Sequence, residues 1–485
     1  MNRMLKSLYP CGQIDPTPIS RREMLRTTGC GFGMVALSAM LQEEATAARS
    51  LPNPLAERAG HVPARAKRII FVFLGGGPSQ VDLFQNKPAL TRHHGEAPPP
   101  SISHSNEFAT EGFESTKLQA PISTFSRVGE SGIWMSDLLP QLSRQIDQLC
   151  FLNGTVADNP AHSAATRQLF CGSPFLVQPS LGAWTSYGLG TENQNLPSFV
   201  AMDVDHSFSY GSYFLPAIHQ GTKLEGQPEY TIRHLKNDKL SDKQLSQQQE
   251  LLQRLNRQHL DRAVSDSGIE GLIDSYELAF RMQARTDAIV DLSGETEETK
   301  TLYGIGEDVT DKVGRSLLVA RRLSEVGVRF VQVQCGGWDH HSQIKRALPK
   351  SCAAHDKPFA GLLQDLRRRG LLDDTLVVFA GEFGRTPFDQ DLSRGKDAPE
   401  DYGRGHSPLG FTTFLSGGGV KGGMAFGETD DLGYRAVDGK VHIHDLHATI
   451  LHLLGLDHEQ LTYHHGGRDI RLTDVYGRVV EEIIA

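Results

Sequence analysis

The sequence has no uninterrupted apolar run of the roughly 18 residues that a membrane-spanning helix needs. It also lacks a basic surplus: 49 Lys and Arg stand against 58 Asp and Glu, for a formal charge of −9. A chain of that sign is poorly suited to neutralising phosphates along a nucleic acid, which excludes nucleic-acid binding as its working mode. Cysteine is scarce, with 6 in 485 residues, and no CxxC pair occurs, so a thiolate zinc site is excluded. Cys150, Cys171, Cys335 and Cys352, which follow Cys11 and Cys30, are expected as buried thiols. There is no internal repeat. With 39% hydrophobic and 22% charged residues, wholesale disorder is excluded as well. What is abundant is glycine, at 49, and histidine, at 20. That pairing in an acidic globule points to many tight loops and to a metal.

The first residues read as an address. Arg21 and Arg22 lie in Ser20-Arg-Arg-Glu-Met-Leu-Arg26, ahead of a weakly apolar stretch at 27–41 and the small residues Ala45-Thr46-Ala47. This order matches a twin-arginine export signal. The alternative, an amphipathic helix of a cytosolic protein, fits poorly because the apolar stretch is rich in glycine. Residues 1–47 are therefore expected to be a removable signal, 48–66 a linker and 67–485 one domain. The twin-arginine translocase is then a partner, and the destination is the periplasm or the cell exterior. That route carries folded proteins, which suits a cofactor loaded beforehand.

Beyond the linker, 68–74 is a continuous apolar run ending at Gly75-Gly76-Gly77, as in a strand buried on both faces. Further strands are expected at 148–156, 328–335, 374–380 and 411–415, and helices at 136–147, 312–325, 356–370 and 445–454. The charged, Gln-rich stretch 235–300 carries helical periodicity and reads as a helical insertion or cap. Alternation of buried strands with helices implies an α/β domain with a mostly parallel central sheet sandwiched by helices.

Functional groups in such sheets gather beyond the carboxyl ends of the strands. There the sequence places Asp82; Asp158, His162, Ser163 and Arg167; Asp339 and His341; Glu382 and Arg385; and His406 in a Gly-Arg-Gly-His-Ser loop. Asp339 and His341 are spaced to reach one centre, and mixed carboxylate and imidazole ligands suit Zn, Mn or Fe. Glu382 is either a further ligand or the partner of Arg385. Arg167, four residues after Ser163, is placed to hold a phosphate or sulfate beside a hydroxyl. The three glycines at 75–77 suit an anion, although they lack the Lys-Ser/Thr ending of a P-loop.

At these residues the chain resembles the alkaline phosphatase-like superfamily, sulfatases included, and within it the DUF1501 family. The segments that carry the resemblance are FVFLGGGPSQVDLF, GGWDHH, TLVVFAGEFGRTP, GRGHSPLGF, VHIHDLHATILHLLGLD and GGRDIRLTDVYG. Ser163-Ala-Ala-Thr-Arg167 is similar to the sulfatase pattern C/S-x-P/A-x-R, which implies a nucleophile at Ser163 and its activator at Arg167. The departures are also plain. Glycines replace the Asp-Asp or Asp-Gly that follows the first strand, leaving Asp82 as the nearest carboxylate, and Glu382-Phe383 replaces Asp-His. The resemblance then implies one divalent cation, Zn, Mn or Ca, held by Asp339, His341 and His406 with Glu382 and Asp82 as further candidates.

Two functions follow as expectations. One is an exported metal-dependent hydrolase of phosphate or sulfate esters, acting on a small-molecule or glycan ester, with His162, His341 or His406 as general acid. The other is a catalytically inactive binding module for anionic extracellular ligands.

Overall fold

The computed structural model describes residues 55–103, 116–226, 288–390 and 401–485, with 230, 251 and 398 as single positions. The expected signal with Arg21 and Arg22, and most of the expected insertion at 235–300, lie outside the described residues.

The central sheet has nine strands. Its first four are β1 (Arg68–Phe73), β2 (Leu149–Val156), β3 (Phe199–Met202) and β4 (Thr222–Leu224). Next come β5 (Phe330–Gln334) and β6 (Thr375–Ala380), then a separate ribbon of β7 (Gly384–Gln390) and β8 (Gly403–Ser407). The sheet is completed by β9 (Phe411–Ser416), β10 (Met424–Phe426) and β11 (Val441–His442). The order is β10-β2-β9-β6-β1-β5-β3-β4, with β11 also on β2. Every pairing is parallel except those of β9, which is antiparallel to β2 and β6. The mostly parallel α/β sheet expected from the alternating pattern is therefore present.

Strand β1 shows why. In its sequence RIIFVF every residue after Arg68 is buried, and it sits between β5 and β6 with Phe71 opposite Gln332 and Val378. Ile70 and Val72 face α4 (Asp311–Glu325) and α5 (Ile344–Arg368), in a core with Leu317, Leu318, Leu362 and Leu366. Ile69, Phe71 and Phe73 face the opposite layer of α2 (His162–Cys171), α3 (Leu181–Leu189) and α6 (Ile443–Leu453). Each such side chain contributes about 1.5–3 kcal/mol on burial, so a run that is apolar at every position suits a strand covered on both faces.

Three local expectations need correction. Residues 136–147 are not one α-helix: β-strand ends at Ser136 and a 3₁₀ helix spans Leu142–Gln148. The helix expected at 356–370 begins earlier, at Ile344, and runs through Pro349 and Pro358. Proline removes a hydrogen-bond donor and normally breaks a helix, so Pro349 hides the turns before residue 356 from sequence patterning, whereas Pro358 lies within the expected span. His406 lies in strand β8 rather than a flexible loop, opposite Arg385 and beside a bulge between Arg404 and His406. All four cysteines of the described residues are buried and unpaired.

Candidate metal centre at the strand ends

The carboxyl ends of β1, β2, β5 and β6 open on one side of the sheet, and the entry to antiparallel β9 brings β8 to the same edge. Four side chains meet there. One ligand atom from each of His162, Asp339, His341 and His406 lies within 4.8 Å of every other. His341 Nε2 is 2.9 Å from Asp339 Oδ1 and 2.9 Å from His406 Nε2. His406 Nε2 is 3.2 Å from Asp339 Oδ1, and His162 Nε2 is 3.2 Å from Asp339 Oδ2.

The far nitrogens of the three imidazoles explain this convergence. His162 Nδ1 lies 2.7 Å from Glu382 Oε1, His341 Nδ1 2.6 Å from Gln390 Oε1, and His406 Nδ1 2.7 Å from the Pro160 carbonyl oxygen. Each of those oxygens accepts, so each Nδ1 carries a proton, and each Nε2 faces the centre, where it gives a lone pair in the neutral ring and donates to Asp339 in the charged one. Two lone pairs facing each other at 2.9 Å make no hydrogen bond. A cation between them satisfies both. The donor set of three imidazoles and one carboxylate fits Zn, Mn or Fe. It does not fit the expected Ca, a hard cation that takes 6–8 oxygen ligands.

The expected ligand Glu382 stands behind the cluster instead. Its carboxylate is 2% exposed and accepts from the Gly76 N–H at 3.0 and 3.2 Å as well as from His162. The anion cradled by the glycine run is thus a carboxylate of the chain itself. Gly76 has φ +112°, and a Cβ there would stand 2.5 Å from the Asp339 amide nitrogen, so only glycine permits the approach. Phe383, at the place where the resemblance implies an imidazole, is buried and packs its ring 5.0 Å from His162 and 4.3 Å from His406.

Asp82 is not brought to the centre. It is fully buried on α1 (Gln80–Leu83) and forms a two-pronged ion pair with Arg404, at 2.7 and 3.1 Å. Arg385 pairs with Asp339 Oδ1 at 2.6 Å rather than with Glu382, and donates to the carbonyls of Gly76, Gly77, Trp338 and Arg404. Sequence reasoning missed Arg385 and Gln390 as the groups that hold Asp339 and His341. The signal for Arg385 was its place three residues after Glu382, beyond a buried strand.

Ser163 is exposed in the first turn of α2, one residue after His162. Arg167 is turned aside: its Nη1 donates to Pro174 O at 2.8 Å and its guanidinium lies 5.3 Å over the Phe208 ring.

The charges of the cluster are coupled. Burial pushes the Asp339 carboxyl up, but hydrogen bonds from His162, His341 and His406 together with Arg385 outweigh it and hold it well below the usual carboxylate range. Hydrogen bonds to Asp339 and then Glu382 raise His162 from 6.5 to about 9, against the opposing effect of burial. A raised folded pKa stabilises fully below 6.5, and that stability is lost as pH rises through about 9. Chelator-treated protein is expected to melt progressively lower across this window, and saturating cation to flatten the slope by displacing the proton. Thermal melts against pH, with and without metal, check it.

Fold and site together define a mixed α/β protein with a histidine–carboxylate centre at its strand ends. Residues 66–484 match the family described as Protein of unknown function (DUF1501), and the chain belongs to that family. No curated protein matches significantly. Among solved structures, it is similar to the lipoteichoic acid synthase LtaP from Listeria monocytogenes, at 11% identity and TM-score 0.33, over 86% of this chain and 78% of that one. It is similar to the PsFucS1 sulfatase from Pseudoalteromonas sp. at 11% identity and TM-score 0.35, over 81% and 69%. It is also similar to the alkaline phosphatase from the Antarctic bacterium TAB5, at 10% identity and TM-score 0.31, over 80% and 98%.

Proposed function

We propose that the protein is an exported, metal-dependent hydrolase of phosphate or sulfate esters with an alkaline phosphatase-like site. The observation that carries this reading is the fixed orientation of three imidazoles, each tethered at Nδ1 by an oxygen and aimed at Asp339 through Nε2. His162, Asp339, His341 and His406 are the residues that would hold the cation. When bound, a divalent cation supplies Lewis acidity toward an ester oxygen. Export by the twin-arginine route, with Arg21 and Arg22 as its signature, agrees with a cation installed in a folded chain. Among the described residues no helix is long and apolar enough to cross a membrane.

The chain's own groups supply the rest. Helix α2 starts beside the centre with Ala161 as its N-cap, which offers no capping side chain. Its first intrahelical bond runs from Ala165 N–H to Ala161 O, so the earlier amides have no acceptor within the helix. Those amides and the helix dipole favour an anionic ester group at that end. Ser163, on the same turn, is the nucleophile in this reading: its Oγ loses its proton to water and bonds to the phosphorus or sulfur as the bond to the ester oxygen breaks. The leaving alkoxide takes a proton from water, and a second water then cleaves the Oγ–P or Oγ–S bond to release phosphate or sulfate and restore the hydroxyl. Imidazoles that give Nε2 to a cation have no proton there to donate, so the general acid is not His162, His341 or His406. Arg167 acts through its loop contacts rather than on the ester oxygens.

Turnover of p-nitrophenyl phosphate and p-nitrophenyl sulfate by metal-loaded protein is the test. Ser163→Ala is expected to lower kcat by at least about 100-fold if serine attacks. Unchanged turnover removes Ser163 from the mechanism, and no turnover of either ester favours the inactive binding module.

A further inference from the structure

A cavity of about 540 Å³ lies beside helix α2, walled by the segment 207–217 with Gln220 and Tyr463. Its rings are Tyr210, Tyr213, Phe214 and Tyr463, and its polar groups include the hydroxyl of Ser207 and the amide of Gln220. Among the described residues no charged side chain lines it. The volume suits a small-molecule site, yet the wall has nothing to pair with a phosphate or sulfate. Stacking faces edged by neutral hydrogen-bonding groups suit a ligand with apolar faces and a hydroxylated rim.

The rings are held in place. Phe214 is stacked on Tyr463 at 5.9 Å and on His465 at 4.8 Å, with Trp184 edge-on at 6.1 Å. Tyr213 has φ +46°, in the left-handed region that a bulky residue adopts only when its surroundings demand it. Its ring lies over Gly211, where a Cβ would stand 2.5 Å from the ring edge, and the side chain remains 44% exposed. A strained backbone, a glycine beneath and an exposed ring make Tyr213 a platform rather than a packing residue.

The cavity shares its support with the candidate centre. Cys171 Sγ–H donates to Phe208 O at 3.3 Å and the Arg167 guanidinium lies over the Phe208 ring, fixing the segment to α2. His162 opens the same helix, about 7.5 Å along the axis from Arg167 at 1.5 Å per residue.

We infer that this cavity is a subsite for a neutral saccharide unit, so that the ester hydrolysed at the centre is carried on a glycan. The assignment rests on the hydrolase reading only for the ester; the binding of sugar stands apart from it. The probes are cellobiose, lactose and N,N′-diacetylchitobiose, applied to full-length, chelator-treated protein with saturation-transfer NMR and calorimetry. At least one is expected to bind saturably, with affinity lowered at least about tenfold in Tyr213→Ala. Tyr213→Phe is expected to retain most of the binding, Gly211→Ala to weaken it by tilting the ring, and His341→Ala to leave it unchanged. Binding that persists without any ester turnover would sink the hydrolase reading and keep the subsite. Absence of saturable binding by all three sugars, indifference to Tyr213→Ala, or displacement of sugar by p-nitrophenol alone overturns the subsite.

Discussion

His341→Ala is expected to strip the protein of its cation. In the native cluster His341 Nε2 lies 2.9 Å from both Asp339 and His406, and Gln390 holds its ring from behind at 2.6 Å. Four-ligand zinc sites bind with about 10–16 kcal/mol, so one ligand in four accounts for about 3 kcal/mol, or upwards of about 100-fold in Kd. Metal analysis after dialysis is expected to fall from near stoichiometric to background, and ester turnover to fall with it. The variant should still fold, because His341 lies at the rim and not in either core. Adding chelator to the parent protein should lower its melting temperature, and adding it to His341→Ala should not. Full metal content in the variant, or a parent indifferent to chelator, would remove the cluster from consideration as a metal centre.

The second large effect concerns Asp82, whose expected role as a ligand and observed role as the partner of Arg404 have opposite consequences. As a ligand, its loss would empty the centre. In the observed pairing with Arg404, both side chains fully buried, its loss strands a guanidinium in the interior. Asp82→Ala is therefore expected to destabilise the fold by about 3–5 kcal/mol while leaving the metal content of the surviving folded protein unchanged. Arg404 would keep only the carbonyls of Gln119, Ala120 and Thr386. The paired replacement Asp82→Leu with Arg404→Met should recover most of the loss, since it removes both charges together. Denaturant unfolding with metal analysis on the same samples decides between the roles.

The contrast between His341 and Asp82 shows what patterning could and could not reveal. Strands β1, β5 and β6 are legible because a largely apolar run closed by glycine has few other uses, and the ends of β5 and β6 then locate Asp339, His341 and Glu382. His162 was legible as a polar residue beyond β2 but was taken for an acid, because nothing local says that Glu382 holds its Nδ1 from 220 residues away. Asp82 and Arg404 are separated by 322 residues, so their pairing left no periodic trace and the carboxylate was available to the wrong partner. Arg167 was assigned by its four-residue spacing from Ser163, whereas side-chain direction is set by Phe208 and Pro174, which no spacing rule includes. The first turns of helix α5 are hidden by Pro349, which local propensity weighs heavily and tertiary packing overrides.

The long separations have a kinetic side. Gly76, His162, Asp339, Glu382 and His406 leave four different strand ends and one ribbon, so of the four clustered residues only Asp339 and His341 are neighbours in sequence, while His341 and His406 stand 65 residues apart. Loop closure must come first, and the sheet must have β9 inserted between β2 and β6 before β8 can present His406. The unfolded chain keeps local pairs such as Asp339 with His341, and the full set of four forms only in the native state. A cation held there would report that the ends of β2 and β5 and the β7–β8 ribbon have come together.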